Sequence, residues 1–117
     1  VLMYQENRHV TLLDKVSLGS IFVYRTSQSC SNNKFHNIYN TWLYDGTGGD
    51  CQGQLLTQVP FNDGQCYQSN RSPKSIRRQN LPQRPRFSFE GNNHWCTVDF
   101  NLLANLKPGQ VYTLYWV

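Results

Sequence analysis

Histidines and carboxylates are the side chains with which this sequence could bind a metal or move protons. The three histidines are His9, His36 and His94, and no two of them stand at HxH or HxxxH spacing. The sequence also lacks an HExxH motif, a glycine-rich phosphate loop and a serine in a nucleophile elbow. Most of the seven Asp and Glu residues stand beside turn signals, where carboxylates commonly cap the backbone. Generic motifs therefore predict no enzyme.

The cysteine content favours an oxidising environment. The four cysteines are Cys30, Cys51, Cys66 and Cys96, an even number with neither a CxxC pair nor zinc-like spacing. The sequon Asn70-Arg71-Ser72 adds a candidate glycosylation site at Asn70. Together these features favour a secreted, extracellular, disulfide-bonded glycoprotein over a cytosolic protein.

A basic segment spans residues 69–88, and no acidic residue occurs between Asp63 and Glu90. Its cations are Arg71, Lys74, Arg77, Arg78, Arg84 and Arg86. The segment is either a solvated loop interrupted by prolines or a patch that contacts acidic glycans, phospholipid head groups or nucleic acid. Nucleic acid is the least favoured partner, because aromatic residues flank these cations instead of alternating with them and the net charge is only +4.

Aromatic side chains are the remaining binding signal, since flat Tyr and Trp rings stack on sugar rings. The candidates for glycan contact are Trp42, Tyr44 and Tyr67. If residues 39–44 form a strand, Trp42 and Tyr44 point to the same side of it. The alternative is that Trp42 belongs to the core, because large aromatic residues are highly buried on average.

Composition and turn signals predict one β-rich domain over residues 1–117. Aromatic residues make up 14% and charged residues 15% of the chain, which excludes a disordered chain and a coiled coil. No apolar run is long enough to cross a membrane. About eight short strands are predicted, at Val1–Gln5, His9–Leu13, Ser20–Thr26, Asn37–Tyr44, Gln54–Val59, Arg86–Glu90, Trp95–Phe100 and Gln110–Val117. Short strands separated by turns in a single domain indicate an all-β sandwich.

The C-terminal part of the chain carries the most specific local signals. Lys107-Pro108-Gly109-Gln110 predicts a type II turn, with Pro setting φ at the second position and Gly supplying a positive φ at the third. In the run Gln110–Val117 that follows, apolar residues occupy both faces. This pattern predicts a strand that is buried on both sides or lies near the centre of a sheet.

Four sequence blocks, which recur in the same order, carry a resemblance to a known family. They are YQEN-HVTL at residues 4–12, DGTGGD at 45–50, DGQCYQ at 63–68 and LKPGQVYTLYWV at 106–117. On these blocks the chain resembles a secreted fungal family of unknown function that is itself similar to lytic polysaccharide monooxygenases.

The resemblance implies an immunoglobulin-like β-sandwich and a copper site of the histidine-brace kind. In such a site an N-terminal His supplies its amine and imidazole and a second His supplies another nitrogen, a ligand set that suits Cu(II). His9 matches the second His, whereas Val1 stands first in this sequence and a candidate axial Tyr of the family lies beyond Val117. We therefore expect an incomplete copper site, with no other cofactor, in a domain truncated at both ends relative to the family.

The resemblance also implies a disulfide between Cys66 and Cys96, because the family has cysteines at both positions. Cys30 and Cys51 have no counterpart there, so they form a second bridge or remain free thiols. Each bridge closes a loop of about 20–30 residues and should stabilise the fold by roughly 3 kcal/mol.

The resulting functional expectation is a secreted protein that acts on or binds cell-wall polysaccharide, and catalysis is left open. One alternative is a glycan-binding module without catalytic activity. The other is a secreted interaction or effector protein that uses the basic segment. The sequence indicates neither the polysaccharide nor the oligomeric state.

Overall fold

In a computed structural model of the chain, residues 1–7, 9–12, 19–28, 30 and 32–117 are described. The strands are β1 (Leu2–Tyr4), β2 (Ser20–Thr26), β3 (Gly53–Pro60), β4 (Cys96–Val98) and β5 (Thr113–Trp116). The helices are α1 (Phe35–Ile38) and α2 (Pro73–Gln79), with a 3₁₀ turn at Ser88–Glu90. The protein is thus β-rich with little helix, and no helix within the described residues could span a membrane.

The chain divides into two compact units. The first unit comprises residues 1–20 and 60–99, and the second comprises residues 21–59 and 100–117. Each unit contains one small antiparallel sheet, and each has its own buried side chains.

In the first unit, β1 and β4 pair antiparallel, with Leu2 opposite Val98 and Tyr4 opposite Cys96. A disulfide joins Cys96 of this sheet to Cys66. The buried apolar residues of the unit are Tyr4, Val10, Cys66, Tyr67, Cys96 and Val98. Polar side chains are buried beside them. Glu6 and Arg78 each make a hydrogen bond to the backbone, whereas Glu6 Oε2, Arg78 Nε and His94 Nδ1 have no hydrogen-bond partner among the described residues.

In the second unit, three strands form a sheet in the order β3-β2-β5. β2 and β5 are antiparallel, with Val23 opposite Trp116 and Thr26 opposite Thr113. The core of this unit consists of Tyr24, Ile38, Trp42 and Leu55. β2 is the central strand, and it buries the adjacent residues Val23 and Tyr24, which point to opposite faces of the sheet.

The described residues contain five strands, fewer than the eight predicted. The segment 37–44 is the end of α1 followed by turns, and Arg86–Glu90 contains a 3₁₀ turn, so both strand predictions were wrong. Residues 9–12 form bends, and Leu13 lies outside the described residues. The β-branched and aromatic residues of these segments favoured strands. Their backbone groups instead form local hydrogen bonds that make turns, such as the bond from the Trp42 N–H to the Ile38 carbonyl at 3.2 Å.

The basic segment was predicted to be a loop interrupted by prolines or a contact patch. It contains the helix α2. Ser72 caps α2 by accepting a hydrogen bond from the Ser75 N–H at 3.1 Å, and Pro73 occupies the first turn. Proline is favoured at that position because its missing N–H would be unpaired there in any case. Ser-Pro was therefore a helix start and not a break.

β5 lies at an edge of its sheet and not at the centre. Its Leu114 and Trp116 side chains are exposed, which accounts for its apolar residues on a second face. The turn before it agrees with the prediction, because Gly109 has φ 80° and the Gln110 N–H donates to the Lys107 carbonyl at 3.2 Å.

Candidate functional site

The three histidines lie in different environments. His9 and His36 are exposed, whereas His94 is buried beside Glu90. Burial lowers the pKa of His94, and the nearby Arg84 lowers it further. His94 Nδ1 lies 3.3 Å from Glu90 Oε2, so this residue is part of a buried polar cluster.

The described residues do not fit a copper site at His9. Among them, the only three His, Cys, Asp or Glu side chains whose ligand atoms lie within 4.8 Å of one another are Asp63, Cys66 and Cys96. Both of these cysteines are in the disulfide, so their sulfurs are not available as thiolate ligands. Within the described chain, His9 thus belongs to no group of three His, Cys, Asp or Glu ligands.

The cysteines form one bridge and not two. Cys66 and Cys96 are bonded, as the resemblance implies, whereas Cys30 and Cys51 are exposed free thiols. The Cys51 N–H is held by the Gly48 carbonyl at 3.0 Å in a turn where Cys51 has φ 57°. Cys30 Sγ accepts a hydrogen bond from the Asn32 N–H at 3.5 Å. Of the two alternatives for Cys30 and Cys51, the structure therefore has free thiols and not a second bridge.

Two of the three glycan-contact candidates are core residues. Trp42 is 1% exposed and Tyr67 is 4% exposed, which corrects the prediction that both offer a ring face on the surface. Trp42 packs edge-on against Tyr24 and Tyr115, and Tyr67 stacks with the His94 ring. Tyr44 is 55% exposed, so it is the one of these three candidates whose ring can contact a ligand.

Tyr44 stands at a cavity of about 450 Å³ in the second unit, which we call the Tyr44 pocket. Its aromatic lining comprises Phe22, Tyr24, Trp42 and Tyr44. Its polar lining comprises Asn40, Asp45 and Gln58, all three exposed. Ligand pockets commonly have this volume and combine apolar walls with a few polar groups that orient the ligand.

Local hydrogen bonds hold the polar groups of this pocket. Asp45 Oδ1 accepts from the Thr47 hydroxyl at 2.7 Å and from its N–H at 2.9 Å, and these bonds lower the pKa of Asp45. Asn40 has φ 58°, and its N–H donates to the Tyr24 hydroxyl oxygen at 3.1 Å. Asn tolerates this left-handed conformation better than most residues. The pocket therefore offers an ionised carboxylate and carboxamides beside aromatic walls.

The DGTGGD block contributes Asp45 to the pocket lining, and its other residues surround Trp42. The Trp42 indole N–H donates to Asp50 Oδ1 at 2.8 Å, and the Leu43 N–H donates to the Thr47 carbonyl at 3.0 Å. A Cβ at Gly48 would lie 2.1 Å from the Thr41 carbonyl oxygen, so only glycine allows this close approach. The block thus has a structural reason for its composition, which is to enclose Trp42.

Four of the six cations of the predicted basic patch make hydrogen bonds or an ion pair within the protein. Arg78 is buried and donates to the Cys66 carbonyl at 2.8 Å, and Lys74 Nζ donates to the Val10 carbonyl at 3.0 Å. Arg84 is paired with Glu90 at 3.2 Å, and Arg86 donates to two backbone carbonyls. The Arg71 and Arg77 side chains remain exposed, and neither makes a side-chain hydrogen bond or ion pair among the described residues. A patch of six free cations is therefore not present.

The sequon also has structural roles in the folded chain. The Asn70 amide donates to the Gln68 carbonyl at 3.1 Å, and the buried Ser72 hydroxyl donates to the Thr11 carbonyl. Asn70 Oδ1 accepts from the Ser72 N–H at 2.8 Å. Glycosylation at Asn70 remains a prediction.

Sequence reasoning assigned no role to two buried carboxylates, Glu6 and Glu90. Glu6 is buried in the YQEN block, and its Oε1 accepts from the Gln68 N–H at 2.7 Å and from the Thr11 hydroxyl. Glu90 accepts from the N–H groups of Phe87 and Trp95 at 2.9 and 2.8 Å. The sequence did offer one signal for the contact between Glu6 and Gln68, because both residues lie in blocks that carry the resemblance.

Comparisons with known proteins identify the family and nothing closer. No curated protein and no solved structure matches the chain. Residues 1–117 match the family described as Domain of unknown function (DUF7492). Because that match spans the whole sequence, the chain is a member of the DUF7492 family.

Proposed function

We propose that this protein is secreted and binds cell-wall polysaccharide through the Tyr44 pocket. The observation that carries the proposal is the pocket's combination of an exposed Tyr44 ring with Asn40, Asp45 and Gln58 around the same cavity. An aromatic ring face can pack on the apolar face of a sugar ring, while carboxamides and a carboxylate accept or donate hydrogen bonds to its hydroxyls.

The finer parts of the proposal rest on the resemblance to the secreted fungal family. These parts are an immunoglobulin-like sandwich, an extracellular location and a relation to lytic polysaccharide monooxygenases. The Cys66–Cys96 disulfide supports an extracellular location, because disulfides persist in oxidising compartments. In this proposal His9 is the one copper ligand that the resemblance assigns. We attach no reaction step to it, since His9 belongs to no group of three His, Cys, Asp or Glu ligands among the described residues.

Binding to insoluble polysaccharides tests the proposal. The purified protein is mixed with chitin, cellulose and xylan suspensions, and the bound fraction is measured as a function of polysaccharide concentration. We expect one of these polymers to retain the protein, and we expect Tyr44→Ala to weaken that binding about tenfold, which corresponds to about 1.4 kcal/mol.

Phe35→Ala is the matched control, because Phe35 is also a largely exposed aromatic residue of the second unit but does not line the pocket. Asn40→Ala and Gln58→Ala should each weaken binding by a smaller factor than Tyr44→Ala. Equal losses in Tyr44→Ala and Phe35→Ala, or no retention by any polymer, would refute the pocket as a glycan site.

A further inference from the structure

A second aromatic surface lies in the first unit and is formed by residues other than those that line the Tyr44 pocket. Phe87 is 52% exposed and Phe89 is 58% exposed, and their rings stack with centroids 5.3 Å apart. Trp95 meets Phe89 edge-on at 5.2 Å. We call Phe87 and Phe89 the phenylalanine pair. Two adjoining exposed aromatic rings form an apolar patch, and exposed apolar patches are candidate contact sites.

The backbone under the phenylalanine pair is firmly held. The buried Glu90 carboxylate accepts from the Phe87 and Trp95 N–H groups, and it is paired with Arg84. Arg86 donates to the Gly91 and Asn93 carbonyls at 2.6 and 2.5 Å. Hydrogen bonds therefore hold the chain before and after the 3₁₀ turn. The Phe87 and Phe89 rings remain exposed, although leaving apolar rings in water is unfavourable.

The apolar surface continues from Phe87 into a cavity. This cavity has a volume of about 340 Å³, and its lining includes Met3, Pro85 and Phe87. Arg84 and Asp99 also line it, and the Arg84 guanidinium carbon lies 5.9 Å from the centroid of the Phe87 ring. Apolar groups and a cation therefore adjoin each other at this edge of the unit.

Exposed cations and a further apolar side chain lie on α2 and just before it. Ser75 and Arg78 are the buried residues of α2, whereas Ile76 and Arg77 point outward. Arg71 is exposed ahead of the helix. By sequence the first unit has eight Lys and Arg against five Asp and Glu, so it carries most of the net charge of +4.

We propose that the segment from Arg71 to Phe89 docks on an anionic lipid surface. Arg71 and Arg77 would pair with lipid phosphates, while Phe87, Phe89 and Ile76 enter the boundary between head groups and acyl chains. Protein segments that bind at this interface combine basic residues with apolar ones in this way. A sugar ring could also pack on the phenylalanine rings, but the Ile76, Met3 and Pro85 side chains offer a glycan neither an aromatic face nor a hydrogen-bonding group, so they favour the lipid.

Vesicle sedimentation tests this inference. The wild-type protein should bind vesicles of 30% phosphatidylglycerol in phosphatidylcholine and should not bind phosphatidylcholine alone. We expect Phe87→Ser/Phe89→Ser to weaken binding about tenfold or more. Arg71→Gln/Arg77→Gln should also weaken it, and its dependence on salt should become smaller. Phe35→Ser, which removes an equally exposed ring from the other unit, should leave binding unchanged.

A measurement on the intact phenylalanine pair guards against misfolded variants. Trp95 contacts Phe89, so brominated phosphatidylglycerol vesicles should quench its fluorescence in a Trp116→Phe background, where the other remaining tryptophan, Trp42, is buried. The proposal fails if anionic vesicles do not bind the protein or if Phe87→Ser/Phe89→Ser binds them as well as wild type does. It also fails if polygalacturonate binds through the arginines while vesicles cause no quenching, which would assign the segment to an acidic glycan.

Discussion

At the scale of single residues, buried ionisable groups form the interior of the first unit. His94 is 1% exposed, and its pKa is lowered by burial and by Arg84, so the neutral ring is the favoured form. Burial by itself would raise the pKa of Glu90, but hydrogen bonds from Phe87, Trp95 and Arg84 outweigh burial and lower it. The cluster therefore combines a neutral imidazole with an ionised carboxylate.

The lowered pKa of His94 makes stability depend on pH. Because the unfolded chain binds a proton near the ordinary value of 6.5 and the folded chain binds it less readily, the free energy of unfolding should fall as pH drops below about 6.5. Urea denaturation at pH 7.5 and pH 5.5 should show this loss in wild type. His94→Gln should be less stable at pH 7.5 but should lose little more at pH 5.5. A wild-type protein that is equally stable at both values would contradict the prediction.

At the scale of elements, the most specific packing is that of Trp42 against its surrounding turns. Gly53, the first residue of β3, faces the indole, and a Cβ there would lie 2.1 Å from the ring. The Asp50 carboxylate accepts a hydrogen bond from the indole N–H of Trp42. The start of the strand and the DGTGGD block therefore both depend on a tryptophan in this position.

Gly53→Ala tests this dependence. Overpacking of a core commonly costs about 1–3 kcal/mol, and we expect a loss of that size in the free energy of unfolding. Gly46→Ala is the control, since Gly46 has φ 80° but no atom near a new Cβ, so this variant measures backbone strain alone. Trp42→Phe should reduce the additional loss caused by Gly53→Ala. If Gly53→Ala unfolds at the same urea concentration as wild type, the indole is not in this position.

At the scale of the whole molecule, covalent stabilisation is unevenly distributed. The Cys66–Cys96 bridge lies in the first unit, with its cysteines 30 positions apart. The second unit contains the free cysteines Cys30 and Cys51. Closing a loop of this length removes conformational freedom from the unfolded chain.

Removing the bridge should therefore destabilise the protein, whereas removing the free thiols should not. We expect Cys66→Ser/Cys96→Ser to lower the free energy of unfolding by about 3–4 kcal/mol, measured by urea denaturation without reductant. Cys30→Ser/Cys51→Ser should unfold at the wild-type midpoint. A comparable loss in the second variant would show that Cys30 and Cys51 are bridged in solution.

The sequence alone determined the features that depend on near neighbours. β-branched and aromatic runs predicted β1 to β5, and the Pro-Gly pair predicted the turn before β5, because strand preference and turn geometry arise within a few residues. The resemblance supplied the disulfide partners. Tertiary structure decided which aromatic rings meet solvent, since Tyr44 is exposed while Trp42 and Tyr67 are buried. It also decided that Arg78 is held inside by a carbonyl 12 positions away. Burial depends on contacts between residues distant in sequence, and no local pattern contains that information.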